Sequence, residues 1–518
     1  MSPMNSTTPS SSPETSTQDA VFAFLSDPAH HRQVRRIDTH AASVFLEGNR
    51  ALKIKRAVRF PFLDYSTLEK RKAACEDELR INKPFAPEIY HRVVAVVRMD
   101  DGTLSIDGPG TPLEYAVDMT RFDESRTFDH LAARGEVTAV LAERMADTIA
   151  SSHEVAEPRP SAPWIGSIER IIQAFIAAFK AGPWFASDEI EQLAEASQST
   201  FARVKSPLEG RGRQAYVRRC HGDLHLANIV LIGQRPVLFD AIEFDERMAS
   251  IDVLYDLAFP LMDLLYYDQQ TAANHLLNRY LAITPVDNLD GLAALPLFMS
   301  MRSAIRAQVL LARLDRAGSD QTGVVQAATR YFQLARRLIQ PAASLLVAVG
   351  GLSGTGKSVL ARAIAPSIRP SPGAIVLRSD VLRKQLFGVR ETDRLPPDAY
   401  NADAGRKVYE LLLEHAGRVL SGGYSVVVDA VFAREDERTA VTHLARKMKI
   451  PFAGFFLTAD LAIRQARVGT RKADASDATP EIAGLQEGYD IGPIDWAVID
   501  ASGSTEATLA QCQPQLPR

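Results

Sequence analysis

The chain has 518 residues, 46% hydrophobic and 24% charged, with a formal net charge of −4. That length exceeds one ordinary core and predicts two or three domains. The acidic balance argues against a nucleic-acid or membrane-surface protein, while leaving room for a local basic cleft that holds phosphates. Cys75, Cys220 and Cys512 are far apart and form no CxxC pattern, so they read as reduced thiols rather than a disulfide frame or zinc site.

Residues 1–18 are rich in Ser, Thr and Pro and almost uncharged, which predicts a disordered tail. They lack the apolar stretch of a secretory signal and the arginines of a transit peptide. No apolar run reaches membrane-spanning length, and a soluble cytoplasmic protein is expected. Residues 34–119 mix strand-like runs (43–46, 92–97) with a helix-like segment at 68–82. Residues 128–343 are mainly helical, with a β-rich island at 228–244. A small β-rich lobe (34–119) followed by a large helical lobe (120–340) predicts an α+β, two-lobed kinase-like domain over 19–340. After Pro341, apolar runs at 345–349, 374–377, 425–428, 452–457 and 497–499 alternate with helix-like segments. That alternation predicts an α/β domain over 345–518 with a five-stranded parallel sheet. The join at 340–344 is short, so the halves are expected to pack together.

The middle of the chain reads His221-Gly222-Asp223-Leu224-His225-Leu226-Ala227-Asn228. Aspartate and asparagine five apart let Asp223 face an acceptor hydroxyl as base while Asn228 turns to a Mg²⁺ ion. Two short apolar strands, 229–232 and 237–239, then form a hairpin that returns Asp240 to Asn228 as a second metal ligand. Glu243 and Asp245 are alternative ligands, and Asp256 is placed to steady the loop from a helix. This segment resembles the aminoglycoside phosphotransferase superfamily over about residues 35–330, most closely at 216–262. The resemblance implies a phosphate-contacting lysine on a strand, for which Lys53 is favoured over Lys55. It also implies an ion-pair partner on the helix at 68–82, with Glu78 favoured over Glu76. Glu114 to Met119 would be the hinge whose backbone reads adenine. No G-x-G-x-x-G precedes Lys53, so residues 39–43 must serve as the phosphate loop.

The last third opens with Gly351-Leu352-Ser353-Gly354-Thr355-Gly356-Lys357-Ser358, a complete G-x-x-x-x-G-K-[ST] placed after an apolar strand and before a helix. Its backbone N–H groups and the helix N-terminus suit phosphates, Lys357 would bridge the β- and γ-phosphates of ATP, and Ser358 would ligate Mg²⁺. Asp429 ends an apolar strand and is either a Walker-B-type metal carboxylate or a plain strand terminator. Asp380, after the second strand, is a candidate base toward a substrate hydroxyl or a helix N-cap, with Arg383 one turn later as substrate anchor. Arg464, Arg467 and Arg471 recur at i, i+3 and i+7 and form either a cationic lid or a solvated face, with 474–477 as its mobile turn.

These residues resemble the AAA_33-type P-loop kinases, a group that includes gluconate kinase, chloramphenicol phosphotransferase and zeta-toxin-like enzymes, over about residues 345–505. The resemblance implies an adenylate-kinase-like fold and transfer from ATP to a small molecule. The leading expectation is a bifunctional ATP- and Mg²⁺-dependent phosphotransferase. Two alternatives are a kinase-like half that only senses a metabolite, and a C-terminal half acting on nucleotide sugars or RNA ends.

Overall fold

The structure is a computed structural model that describes residues 13–31, 33–60, 63–314, 321–470 and 474–517. The chain forms two compact units. The first comprises the chain up to Glu136 with Ser151–Pro160 and Val217–Asp256, and the second comprises Val137–Ala150, Ser161–Tyr216 and everything from Leu257 onward. The helices after Leu257 thus group with the phosphate-loop sheet, whereas the sequence pointed to one cut near residue 340.

The first unit is built on a six-stranded sheet. Its strands are β1 (Arg35–Asp38), β2 (Ala42–Glu47), β3 (Arg50–Lys55), β4 (Tyr90–Arg98), β5 (Leu104–Ile106) and β6 (Thr111–Thr120), in the order β1-β2-β3-β6-β4-β5. Helix α1 (Pro13–Ser26) begins inside the segment expected to be a disordered tail. It forms because Val21, Phe22 and Leu25 share one helical face and bury it on Phe45, Leu52, Ile54 and Val96. The Gln18 amide donates to Lys55 O and to Glu114, closing that contact. Helix α2 (Leu68–Asn82) starts where Thr67 Oγ1 accepts from Lys70 N. Arg71, on its buried face, pairs with buried Glu114 at 2.8 Å. In β6 residues 116–119 lie between β3 and β4 and pair with both, while Glu114 and Tyr115 pair with β4 alone. The segment expected to be the hinge is thus part of a strand of the sheet.

A hairpin, β7 (Ile229–Ile232) and β8 (Arg235–Leu238), turns tightly at Gly233-Gln234. Val230 and Val237 pack it against Cys75, Ile89, Tyr90 and Val117, which fixes the hairpin to the small sheet. Helix α3 (Ala139–Val155) precedes this hairpin in the sequence, and α4 (Val253–Tyr266) and α5 (Gln270–Ile283) follow it.

In the second unit, β9 (Leu346–Gly351), β10 (Ile375–Arg378), β11 (Val426–Asp429), β12 (Phe452–Thr458) and β13 (Ala497–Asp500) form an all-parallel sheet in the order β10-β11-β9-β12-β13. All six residues of β9 are buried, as its central place and unbroken apolar run require. Its core joins Val347 and Val349 to Val427, Phe455, Leu457 and helix α6 (Lys357–Ile364). Helices α7 (Ser379–Leu386) and α8 (Leu461–Gly469) flank the sheet's carboxyl edge. Among the described residues, no helix is long and apolar enough to cross a membrane.

Candidate active sites

In the first unit the loop at 221–228 and the hairpin after it converge with β3 and α2. Asn228 Nδ2 donates to Asp223 O at 2.9 Å, and Phe239 N donates to Asn228 O, so the hairpin returns Asp240 as the spacing implied. Asp240 has a φ of 61°, a conformation costly for most residues and tolerated by Asp. The backbone around it is held from two sides: Asp240 N donates to Tyr90 Oη at 3.1 Å, and Ala241 N donates to Asn82 Oδ1 at 2.8 Å. Asp256 accepts from the amides of His221 and Gly222 at 3.2 and 3.0 Å, which steadies the loop from α4.

Lys53 Nζ lies 2.8 Å from Glu78 Oε1 and 2.5 Å from Asp240 Oδ1. Burial works against its charge, yet the Asp240 and Glu78 carboxylates hold Lys53 well above the ordinary lysine value. The structure does not choose between the two lysines as sharply as expected. Lys55 pairs with Glu78 Oε2 at 2.6 Å and with Glu243, whose Oε1 also accepts from Tyr65 Oη. Glu243 is therefore a counter-ion for Lys55 rather than a substitute metal ligand, and Asp245 caps the helix at Glu246–Ala249. Glu76 is exposed and pairs with Lys72. Residues 39–42 form a tight turn closed by Thr39 Oγ1, which donates to Ala42 O and accepts from Ala42 N.

Cys220 lies with His153 and Asp256 inside 4.8 Å, a trio the sequence spacing did not suggest. Burial pushes the Cys220 thiol well above its ordinary value, and both Asp256 oxygens already accept amides, so the trio is core packing.

The phosphate loop of the second unit runs from β9 into α6. Gly351, Gly354 and Gly356 all have positive φ, and a Cβ on Gly354 would sit 2.5 Å from Arg464 O. Helix α6 has no side-chain cap, and in the loop before it Thr355 N donates to Leu352 O. Ser353 N donates to Gln486 Oε1, and Lys357 Nζ donates to Leu352 O. Ser358 Oγ donates to Asp429 Oδ2 at 2.5 Å. The buried Arg378 guanidinium sits 3.3 Å from the same oxygen and 2.8 Å from Asp474.

A cavity of about 1220 Å³ brings Lys357, Ser358, Asp380, Arg383 and Asp429 onto common walls. Asp380 lies inside α7 as its second residue, not at the N-cap. Burial first, then the Asp429 charge, raises the Asp380 carboxyl above its usual range, with Arg378 and Lys357 opposing. Arg383 donates to Ala399 O and stacks 5.1 Å over Tyr400.

The arginine row does not act as one face. Arg464 is buried and pairs with Glu487, and Arg467 donates to the carbonyls of Ala501, Ser502 and Gly503, so neither described arginine is on the cavity wall. Arg471 lies outside the described residues. The turn at 474–477 is pinned, not loose. Asp474 meets Arg378, and Asp477 accepts from Lys384, Tyr400 Oη and Leu395 N.

Sequence reasoning missed Asn82, Tyr90, Arg378, Lys384 and Gln486. Asn82 was the most accessible of these, standing four residues after Glu78 on the same helical face.

A mixed sheet with paired Lys53, Glu78 and Asp240, and a parallel sheet with a phosphate loop, define the class: kinase-like folds in both parts of the chain. Residues 346–486 match the family model described as an AAA domain. The "uncharacterized protein Rv2004c" of Mycobacterium tuberculosis H37Rv is 26% identical over 487 residues, covering 92% of this chain and 93% of that protein. Among solved structures, a choline/ethanolamine kinase family protein from Mesorhizobium loti covers 62% of this chain and 99% of its own, at 13% identity and a TM-score of 0.37. A gluconokinase from Sinorhizobium meliloti 1021 covers 33% and 90%, at 18% identity and a TM-score of 0.24.

Proposed function

We propose that the protein is a bifunctional ATP-dependent phosphotransferase, with each kinase-like part moving a γ-phosphoryl group to a small-molecule hydroxyl. The observation that carries this reading is the presence of two separate sets of residues. Asp223, Asn228 and Asp240 stand with Lys53 in one set, and Lys357, Ser358 and Asp429 stand with Asp380 in the other.

In the first set Lys53 and its Glu78 ion pair hold phosphate oxygens, and Asp223 accepts the acceptor's proton. In the second, the phosphate loop from Gly351 to Ser358 cradles the phosphates through its N–H groups, and Lys357 neutralises them. Asp380 takes the acceptor hydroxyl's proton, and its raised pKa suits a base working nearer neutrality than an ordinary aspartate. Arg383 anchors the acceptor. The donor sets fit Mg²⁺, a hard cation that prefers oxygen: Asn228 and Asp240 in one set, Ser358 and Asp429 in the other. When bound it supplies charge neutralisation on the phosphates.

An acceptor screen reading ATP consumption over sugars, amino alcohols and hydroxy acids tests this, run on the wild type, Lys357→Ala and Asp380→Asn. Loss of one acceptor's turnover in both variants is expected. Unchanged turnover in Lys357→Ala for every acceptor would remove the P-loop part of the reading.

A further inference from the structure

Two consecutive residues of α5, Asn278 and Arg279, reach the P-loop sheet from the helical stretch that precedes it in sequence. β10 is an edge strand of that sheet, so one side of its backbone has no strand partner. Asn278 supplies what a neighbouring strand would. Its Nδ2 donates to Ala374 O at 3.2 Å and its Oδ1 accepts from Val376 N at 2.7 Å, the carbonyl-then-amide pattern of a β ladder. The buried Asn274 adds a second donor to Ala374 O at 3.0 Å. The start of β10 is thus fastened to α5 by a side-chain amide acting as backbone.

Arg279 makes a second tie at the other end of the strand. Its Nε is fixed by Asp147 of α3 and its Nη1 holds Glu391, both at 2.7 Å. Glu391 faces Arg378 at 3.8 Å, and Arg378, the last residue of β10, lies beside Asp429. Asp380 follows two residues later. The phosphate loop itself is carried by β9 and α6, which Asn278 and Arg279 do not touch. The contacts from Arg279 reach Ser358 of α6 indirectly, through Glu391, Arg378 and Asp429.

We propose that Asn278 and Arg279 are positioning residues for the acceptor side of the P-loop site. They fix β10, and with it Asp380, from a helix outside the stretch that matches the AAA domain model. This inference rests on the P-loop reading above. It separates two properties that a merely structural role would move together: the chemistry that Asp380 performs, and the grip of the phosphate loop on nucleotide.

The test uses the full chain with Asp223→Asn, which silences the proposed first site. The P-loop turnover is the ATP hydrolysis that Lys357→Ala removes from this background, and nucleotide affinity is read with a fluorescent mant-ATP probe. Asn278→Leu and Arg279→Met are expected to lower that turnover roughly two- to thirtyfold, with mant-ATP affinity unchanged and Arg279→Lys retaining most activity. Hydrogen exchange of the Val376 amide in the unmodified chain is expected to be slow and to quicken about tenfold or more in Asn278→Leu. Turnover unchanged in both variants, or affinity falling in step with turnover, would overturn the proposal. So would a Val376 amide already unprotected in the unmodified chain, a measurement that needs no variant to fold. If Lys357→Ala removes no turnover, the P-loop reading fails instead, and Val376 exchange alone then decides whether α5 docks on the strand.

Discussion

Lys53 and Lys55 share one carboxylate, Glu78, but their other partners give them different work. Lys53 points to Asp240, at the end of the catalytic hairpin, and Lys55 to Glu243, which is buried. Removing Lys55 leaves Glu243 and one oxygen of Glu78 buried without a counter-ion. Lys55→Met is therefore expected to cost about 3–5 kcal/mol in urea unfolding, with most of it recovered in Lys55→Met/Glu243→Gln. A single variant as stable as the wild type would sink this assignment. Lys53→Met should instead cut transfer by the first site about a hundredfold or more, read as acceptor turnover. At the second site, Asp380 is held above its ordinary 3.8 by burial and by Asp429. A folded pKa above the unfolded one means that ionisation costs stability as pH rises past the unfolded value. Asp380→Asn is thus expected to melt later than the wild type at neutral pH, the gap closing as pH falls toward 3.8, while P-loop transfer drops about 10²–10⁴-fold. An earlier melt at neutral pH would contradict the assignment. The lysine pair was legible in sequence because both residues stand on one strand face. The division of labour was not, since it depends on carboxylates 187 and 188 residues away.

At the scale of elements, the placement of consecutive residues was legible, and direction was not. The phosphate loop and the loop from His221 to Asn228 are local, so spacing alone fixes how their residues are brought together. A helix row at i, i+3, i+7 also predicts a shared face, but only packing decides where that face looks. In α8 Arg464 turns to Glu487 and Arg467 to the carbonyls of 501–503. Likewise the polar run 474–477 reads as mobile from composition, yet two aspartates in it meet cations from β10 and α7. Lys384 is nearly inaccessible and spends its charge on Asp477. Lys384→Met is expected to destabilise the protein by about 3 kcal/mol and to speed exchange of the Leu395 amide, which Asp477 accepts. Unaltered exchange there would show that the segment is held by something else. Helix α1 makes the complementary point: its Ser/Thr/Pro-rich start hid an apolar face at Val21, Phe22 and Leu25 that only the small sheet explains.

For the whole molecule, the five-stranded parallel sheet and the mixed kinase-like sheet were both legible, because continuous and mixed apolar runs report how many faces a strand buries. The grouping of the helices after Leu257 with the P-loop sheet was not, because it is written in dispersed side chains such as Asn274, Asn278 and Arg279 rather than in any periodic pattern. The proposed function places two phosphotransferase sites with separate machinery on one chain. Its most direct test is product-resolved transfer from γ-labelled ATP by the wild type, Asp223→Asn, Lys357→Ala and the double variant, each supplied with the same mixture of acceptors. Two labelled product classes are expected, one lost in each single variant and both lost in the double. A single product class that either substitution abolishes, or full transfer persisting in Asp223→Asn, would contradict it.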